Sequence, residues 1–214
     1  MSHDDFATEP VAGLPELPPE GEKILWQGRP DWWALSVSAT SLYWVMGYFV
    51  LLALWRLVSL SDQMAFGQAV ILSLPLLIVG LVVALLFMLF CYIQARTTVY
   101  TVTNRRVAMR IGAALTVTLN LPYTQIVNAT LRKGGRGTGT IAFEVPKDVR
   151  LGYLTCWPHV RPWALPAQPA LRCIPDAGRI AAMISDAAEA RVAMPQVARR
   201  AAAGPGAAQP VAAE

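Results

Sequence analysis

The sequence predicts a membrane α + β protein, in which a two-helix transmembrane hairpin precedes a bent β-sheet or barrel with a C-terminal amphipathic helix. Two charge-free runs predict the hairpin, because no charged residue occurs in the 24 positions of 32–55 or the 33 positions of 63–95. About 20 apolar residues in a helix cross a bilayer core, so both runs are long enough. Apolar and polar residues that alternate after residue 96 predict the sheet.

The hairpin is expected to occupy residues 31–95, with spans at about 33–55 and 69–93. Pro75 and Gly80 interrupt the second span, where we expect a kink, because neighbouring helices can re-satisfy a carbonyl that proline frees. Neither span contains His, Asp, Glu or Lys. Since intramembrane ionisable groups mark ion pathways and proton relays, the spans are expected to act as an anchor and a packing surface.

Tryptophans mark the ends of the first span. Trp32, Trp33 and Trp55 fall where the headgroup level is expected, and Trp favours that level because its ring is partly apolar and partly polar. Trp44 lies too deep for this belt. We expect it to pack against the second helix or a partner.

Basic residues predict the orientation. They flank the hairpin on the side of both termini, whereas the connecting loop 56–62 has one arginine. Positive residues favour the cytoplasmic side, so both termini are expected in the cytoplasm of a bacterial inner membrane. Residues 1–30 are expected to be a cytoplasmic arm whose first part is acidic, disordered and unlike a signal peptide.

The segment 96–192 is expected to be a cytoplasmic β domain. Its strands are predicted over 97–103, 107–111, 115–121, 126–131 and 141–145, with a last short strand at 171–174. Pro175 and Asp176 then open a helix, because Pro suits a first helical turn. An apolar stripe at helical spacing follows: Ile180, Met183, Ile184, Ala187 and Ala188. The tail 193–214 is rich in Ala, Pro and Gly and is expected to be disordered.

This succession of strands and one terminal helix predicts a pleckstrin-homology (PH)-like layout, although periodicity alone does not single it out among small β domains. Residues 96–214 carry fifteen basic and six acidic side chains, a net charge of +9. Such a domain, held at a cytoplasmic membrane face, would be attracted to anionic lipid headgroups. Surface contacts are expected from five side chains: Arg96, Arg105, Arg106, Lys133 and Arg136.

Three motifs resemble known families. The segments 22–30 (EKILWQGRP) and 100–106 (YTVTNRR) resemble membrane-anchored bacterial PH-like proteins. The segment 157–163 (WPHVRPW), followed by 171–176 (LRCIPD), is similar to the PuhB family, the photosynthetic complex assembly proteins of purple bacteria. The similarity extends over roughly residues 20–190, and the third motif carries the narrower assignment.

The resemblance implies a non-enzymatic assembly factor for the photosynthetic reaction centre and its light-harvesting 1 antenna. It also implies self-association, and hence a homodimer, in the intracytoplasmic membrane. Some members of the family have three spans, whereas this sequence predicts two. The expected partners are reaction-centre and light-harvesting 1 subunits and membrane lipids, with no nucleic acid and no cofactor.

The proline-rich segment is the predicted partner-docking site. Exposed Trp on a stiff loop is typical of a protein–protein hot spot, so docking is expected from Trp157, His159, Arg161 and Trp163. A lone His has no second ligand nearby, and the alternative for His159 is a local hydrogen-bond network. The glycine-rich segment 133–137 lacks the spacing of a phosphate loop, and a hairpin tip is expected there.

Two other functions stay open from the sequence. A generic membrane-surface scaffold that binds lipid or a protein fits the shared PH-like motifs equally well. A membrane enzyme or transporter is disfavoured, because the sequence shows no catalytic set, no metal-ligand cluster and no intramembrane ionisable group. No catalytic, cofactor-binding or metal-binding residue is therefore predicted.

Overall fold

The computed structural model describes residues 11, 13–14, 16–112, 116–146 and 151–193. The helices are α1 Trp32–Ala39, α2 Leu42–Ser61, α3 Phe66–Thr97, α4 Tyr153–Cys156 and α5 Ala177–Ala193. The strands are β1 Ile24–Gly28, β2 Val99–Thr103, β3 Arg106–Ile111, β4 Val117–Pro122, β5 Asn128–Lys133, β6 Thr138–Glu144 and β7 Ala170–Pro175. The predicted tail beyond residue 193 and the first ten residues of the predicted arm lie outside the described residues.

The first apolar run forms two helices, which corrects the single span predicted over 33–55. The helix α1 ends at Ala39, and Ser41 adopts the left-handed conformation (φ 51°) before α2 starts. The hydroxyls of Ser36 and Thr40 donate to backbone carbonyls one turn earlier, at 2.8 and 2.6 Å. Such local bonds compete with a straight helix, so the run of Ser and Thr accounts for the break.

The helices α2 and α3 pack side by side through small residues, an arrangement typical of helices in membranes. At Gly80 an added Cβ would lie 2.7 Å from Phe49 Cβ. Gly80 therefore permits close approach of the two helices. The helix α3 also continues without a break through Pro75. Both helices are long and apolar enough to cross a membrane, by length and composition.

Most of the surface of α2 and α3 is apolar and exposed. Trp44 is 84% exposed. It therefore does not pack against α3, which was one of the two environments predicted for it. Large exposed apolar surfaces on a protein normally meet lipid or a partner. The hairpin presents such a surface along its length.

One antiparallel sheet has the order β1-β2-β3-β4. The strand β1 lies within the segment predicted as an arm, and it pairs with β2 across 74 residues of sequence, as Gln27 does with Thr101. The arm prediction was therefore wrong for this part of the chain, because the pairing is non-local. The strand β2 is buried along its whole length and begins two residues after the last residue of α3.

A second antiparallel sheet has the order β5-β6-β7, and α5 packs against β5 and β6. The predicted helix begins at Ala177, because Pro175, which was predicted to open it, ends β7 instead. Its apolar stripe is confirmed by the burial of Ile180, Ile184 and Ala187. These side chains join the core formed by both sheets. The structure thus has two long apolar helices followed by antiparallel sheets and a terminal amphipathic helix, as predicted.

Candidate functional site

His159 lies in the interior, where the β domain meets the end of α3, and it is fully buried. Its Nε2 lies 3.1 Å from Thr98 Oγ1 and its Nδ1 lies 2.6 Å from Tyr100 Oη. The backbone N–H of Arg172 donates to the same Tyr100 oxygen at 3.3 Å. The network is satisfied when Tyr100 donates to Nδ1 and Nε2–H donates to Thr98. It ties the loop before β7 to the first residue after α3.

Burial is the main cause that lowers the pKa of His159 to about 3, and the nearby positive charge of Arg172 lowers it further. The imidazole is therefore neutral at physiological pH. Burial also raises the pKa of Tyr100 above its ordinary value. The pair is locked in uncharged form, as expected of a structural network rather than a proton-transfer site.

Arg172 is a buried cation beside this network, with 4% of its surface exposed. Its Nη1 donates to the Pro158 carbonyl at 2.9 Å, and its Nη2 donates to Ser38 Oγ at 2.9 Å. Its Nε has no hydrogen-bond partner among the described residues. These bonds connect β7 to α1, and the backbone N–H of Asp31 reinforces that link by donating to the Cys173 carbonyl at 2.8 Å.

A groove of about 850 Å³ lies between α1 and the outer face of the sheet that contains β5. We call it the cationic groove, because five basic side chains and no acidic one line it within the described residues. Trp33, Val37 and Tyr43 form part of its helical wall. The basic side chains are Arg132, Lys133, Arg136, Arg161 and Arg172.

The structure separates the four side chains predicted for docking. His159 is buried, so it contributes no exposed surface and takes the alternative role of a hydrogen-bonded histidine. Trp157 stacks on Phe90 of α3, with ring centroids 5.5 Å apart, and anchors the loop. Arg161 and Trp163 are exposed, Trp163 to 95%.

Two other exposed apolar side chains lie in the segment before β7, one in α4 and one in the loop after Trp163. Leu154 is 87% and Leu165 is 88% exposed. Tyr153 holds the loop in place, since its hydroxyl accepts from the Trp163 backbone N–H at 3.4 Å. We call Leu154, Trp163 and Leu165 the apolar loop tips. The first and last of them were not singled out from the sequence, although each is a large apolar residue beside prolines or polar residues.

The predicted membrane-surface residues also fall into two groups. Arg105 Nη2 donates to the Glu20 carbonyl at 3.0 Å, and Arg106 forms an ion pair with Glu22 at 2.9 Å. These contacts tie the segment before β1 to the turn after β2, about 17 Å along the strand from the end of α3. The structure thus gives both arginines a structural role.

The other three residues predicted to contact the membrane surface are exposed: Arg96, Lys133 and Arg136. Arg96 is exposed in the last turn of α3 and lies over the Tyr92 ring, 5.3 Å from its centroid. Lys133 and Arg136 are exposed at the β5–β6 hairpin tip, where Arg136 has a positive φ of 57°. Their contact with a membrane stays a prediction.

Sequence reasoning missed Arg172 and Ser38. A buried arginine is rare without a partner, and its position in an apolar strand (ALRCIP) was the signal available. Within the described residues no group of three or more His, Cys, Asp or Glu side chains could hold a metal ion.

Comparison with known proteins places these features in a family. Residues 34–188 match the family described as Bacterial PH domain, so the match includes most of the helices as well as the sheets. The chain is 44% identical over 203 residues to a protein of Rhodobacter capsulatus described as an uncharacterized 23.7 kDa protein in the puhA 5′ region. The alignment covers 92% of this chain and 94% of that relative. No solved structure matches significantly. The chain therefore belongs to the bacterial PH domain family.

Proposed function

We propose that this protein is a non-enzymatic membrane assembly factor for the photosynthetic reaction centre and its light-harvesting 1 antenna. In this proposal α2 and α3 cross the inner, intracytoplasmic membrane, and both termini and the β domain lie in the cytoplasm. The hairpin packs beside subunits that are being inserted. The domain holds a partner subunit at the membrane surface.

The relative from the puhA 5′ region is the observation that carries the assignment to photosynthesis. That relative is described by its position in the puhA 5′ region, and the WPHVRPW motif of this chain resembles the PuhB family. At 44% identity over nearly the whole of both chains, the two proteins share their architecture. A role of this chain in photosynthetic membrane complexes follows as the proposal.

The rigid junction between α3 and the β domain supports a role in positioning. Only Thr98 separates Thr97, the end of α3, from Val99, the start of β2, and the Thr98 hydroxyl bonds to His159. The Trp157–Phe90 stack adds a second fixed point. A domain held in this way would keep a bound subunit at one height and orientation, which raises its local concentration beside the hairpin.

The apolar loop tips support docking of a protein. Leu154, Trp163 and Leu165 are almost fully exposed, and aromatic residues are enriched in the energetically important parts of interfaces. The loop that carries these tips is anchored on α3 by the stack of Trp157 on Phe90. We propose that they contact a membrane-embedded or membrane-adjacent subunit.

Deletion of the gene tests the proposal. Reaction-centre and light-harvesting 1 absorption in membranes should fall, while free pigment is still made, and expression of the full chain should restore the absorption. Normal complex levels and normal photosynthetic growth in the deletion strain would contradict the proposal.

A generic membrane-surface scaffold is the second candidate, and the cationic groove favours it. Affinity purification of the tagged chain in mild detergent separates the two. Recovery of reaction-centre or light-harvesting 1 polypeptides supports the assembly factor. Recovery of anionic lipid together with unrelated membrane proteins, and no photosynthetic polypeptide, supports the scaffold.

A further inference from the structure

We propose that the cationic groove binds the headgroup of an anionic glycerophospholipid, with the acyl chains directed along α2. This inference rests on the membrane placement in the proposed function. It adds a defined site and a ligand class to it. Three features of the groove support the inference: its charge, the uncompensated Arg172, and its position at the start of α2.

The charged side chains that line the groove among the described residues are all positive. Arg132, Lys133 and Arg136 approach it from the β5–β6 hairpin, and Arg161 approaches it from the loop before β7. The ion pair that the structure shows among its described residues, Arg106 with Glu22, lies elsewhere. Like charges in one concave surface focus a field that attracts anions. The hydroxyls of Thr130, Thr138 and Thr140 add neutral hydrogen-bonding groups to the same surface.

Arg172 provides independent evidence for an anion. A guanidinium stays protonated under all physiological conditions, and burial of an unpaired charge costs free energy. Its partners in the structure are neutral oxygens, and its Nε is unbonded among the described residues. The negative end of the α1 dipole lies near Ser38 and compensates only part of the positive charge of Arg172. A phosphate in the groove would supply the missing negative charge.

The position of the groove distinguishes a lipid from a soluble phosphate. One wall is α1 and the first turn of α2, where Tyr43 is 66% exposed. Trp33 and Tyr43 are residue types that favour the headgroup level. The groove therefore combines an apolar wall beside the membrane helix with a basic wall on the domain. A phospholipid has this amphipathic pattern, and inorganic phosphate lacks the apolar part.

The test uses the full-length chain in nanodiscs made from an equimolar mixture of phosphatidylcholine and phosphatidylglycerol. Lipids that stay bound after release from the disc are counted by native mass spectrometry. We expect phosphatidylglycerol to be retained over phosphatidylcholine by roughly tenfold in the wild type. The R132Q/R136Q variant should bring the ratio near one, and it should fold because both side chains are exposed. The K23Q/R179Q variant removes the same charge from exposed residues outside the groove and should keep the preference.

Three outcomes would overturn the inference. One is equal retention of both lipids by the wild type, and another is an unchanged preference in R132Q/R136Q. The third is loss of bound phosphatidylglycerol when inorganic phosphate is added, since the groove would then bind free phosphate. Alkaline carbonate extraction of cell membranes distinguishes rejection of the lipid site from rejection of the proposed function. Release of the wild-type chain would reject the membrane hairpin itself, whereas a retained chain without lipid preference would reject the groove alone.

Discussion

At the level of single residues, a neutral histidine and a charged arginine share one buried junction. His159 bonds through both ring nitrogens, and Arg172 connects β7 to α1. The sequence indicated a lone histidine with two alternative roles, and burial decides in favour of the hydrogen-bond network. The tertiary contacts that bury it come from residues about 60 positions earlier in the chain. For that reason periodicity in the segment 157–163 could not predict them.

Replacement of His159 by Gln tests the network through its pH dependence. The folded-state pKa of about 3 lies below the ordinary 6.5, so between these values the unfolded chain binds a proton that the folded chain does not. The contribution of His159 to the free energy of unfolding is therefore fully present above pH 6.5. It decreases as the pH falls towards 3, by at most about 5 kcal/mol. H159Q should be less stable by about 1–3 kcal/mol at pH 7 and should lose this part of the pH dependence.

Thermal unfolding in detergent across this pH range measures the effect. His3→Gln removes the other histidine of the chain and should leave the wild-type profile unchanged. An H159Q profile parallel to that of the wild type would show that the imidazole is not held neutral.

For Trp163 we expect an effect on binding and not on stability, because its side chain is 95% exposed. Trp163→Ala should change stability by less than about 0.5 kcal/mol but lower the recovery of reaction-centre polypeptides in affinity purification by roughly tenfold or more. Leu17→Ala is the control, since Leu17 is 68% exposed and lies outside the apolar loop tips. Equal recovery from the two variants would contradict docking through this loop.

At the level of elements, patterns within one segment were predictable and pairings between distant segments were not. Alternation predicted β3 and the strands near the hairpin tip, and helical spacing predicted α5. Charge-free length predicted two apolar helices but not the break at Ser41, which depends on hydroxyl–carbonyl bonds. The strand β1 was missed because its partner β2 lies beyond the whole hairpin.

Gly80 is the element-scale test, because an added Cβ would lie 2.7 Å from Phe49 Cβ. Gly80→Leu should force α2 and α3 apart and cost about 1–3 kcal/mol, measured as a lower unfolding temperature in detergent. Gly47 in α2 offers a matched control, since a Cβ there meets nothing within 4 Å. If Gly47→Leu lowered the unfolding temperature as much as Gly80→Leu, close packing at Gly80 would not be the cause.

At the level of the whole molecule, the proposed function depends on where the helices and the β domain lie relative to a membrane. The exposed apolar surface of α2 and α3, the basic charge after residue 96 and the rigid junction are consistent with a domain held at one membrane face. The candidate site was only partly predictable. The basic hairpin tip and the Trp-rich loop were identified from sequence, whereas the groove requires α1 and the second sheet to meet in space.

Cysteine labelling in intact cells shows on which side of the inner membrane the α2–α3 loop and the β domain lie. The three native cysteines are buried, so single cysteines introduced as Asp62→Cys, in the loop between α2 and α3, and Gly135→Cys, at the β5–β6 tip, report each side of the membrane. With the outer membrane permeabilised, a membrane-impermeant maleimide should label D62C at once and G135C only after the inner membrane is broken. Labelling of G135C in cells with an intact inner membrane would contradict the cytoplasmic placement of the domain.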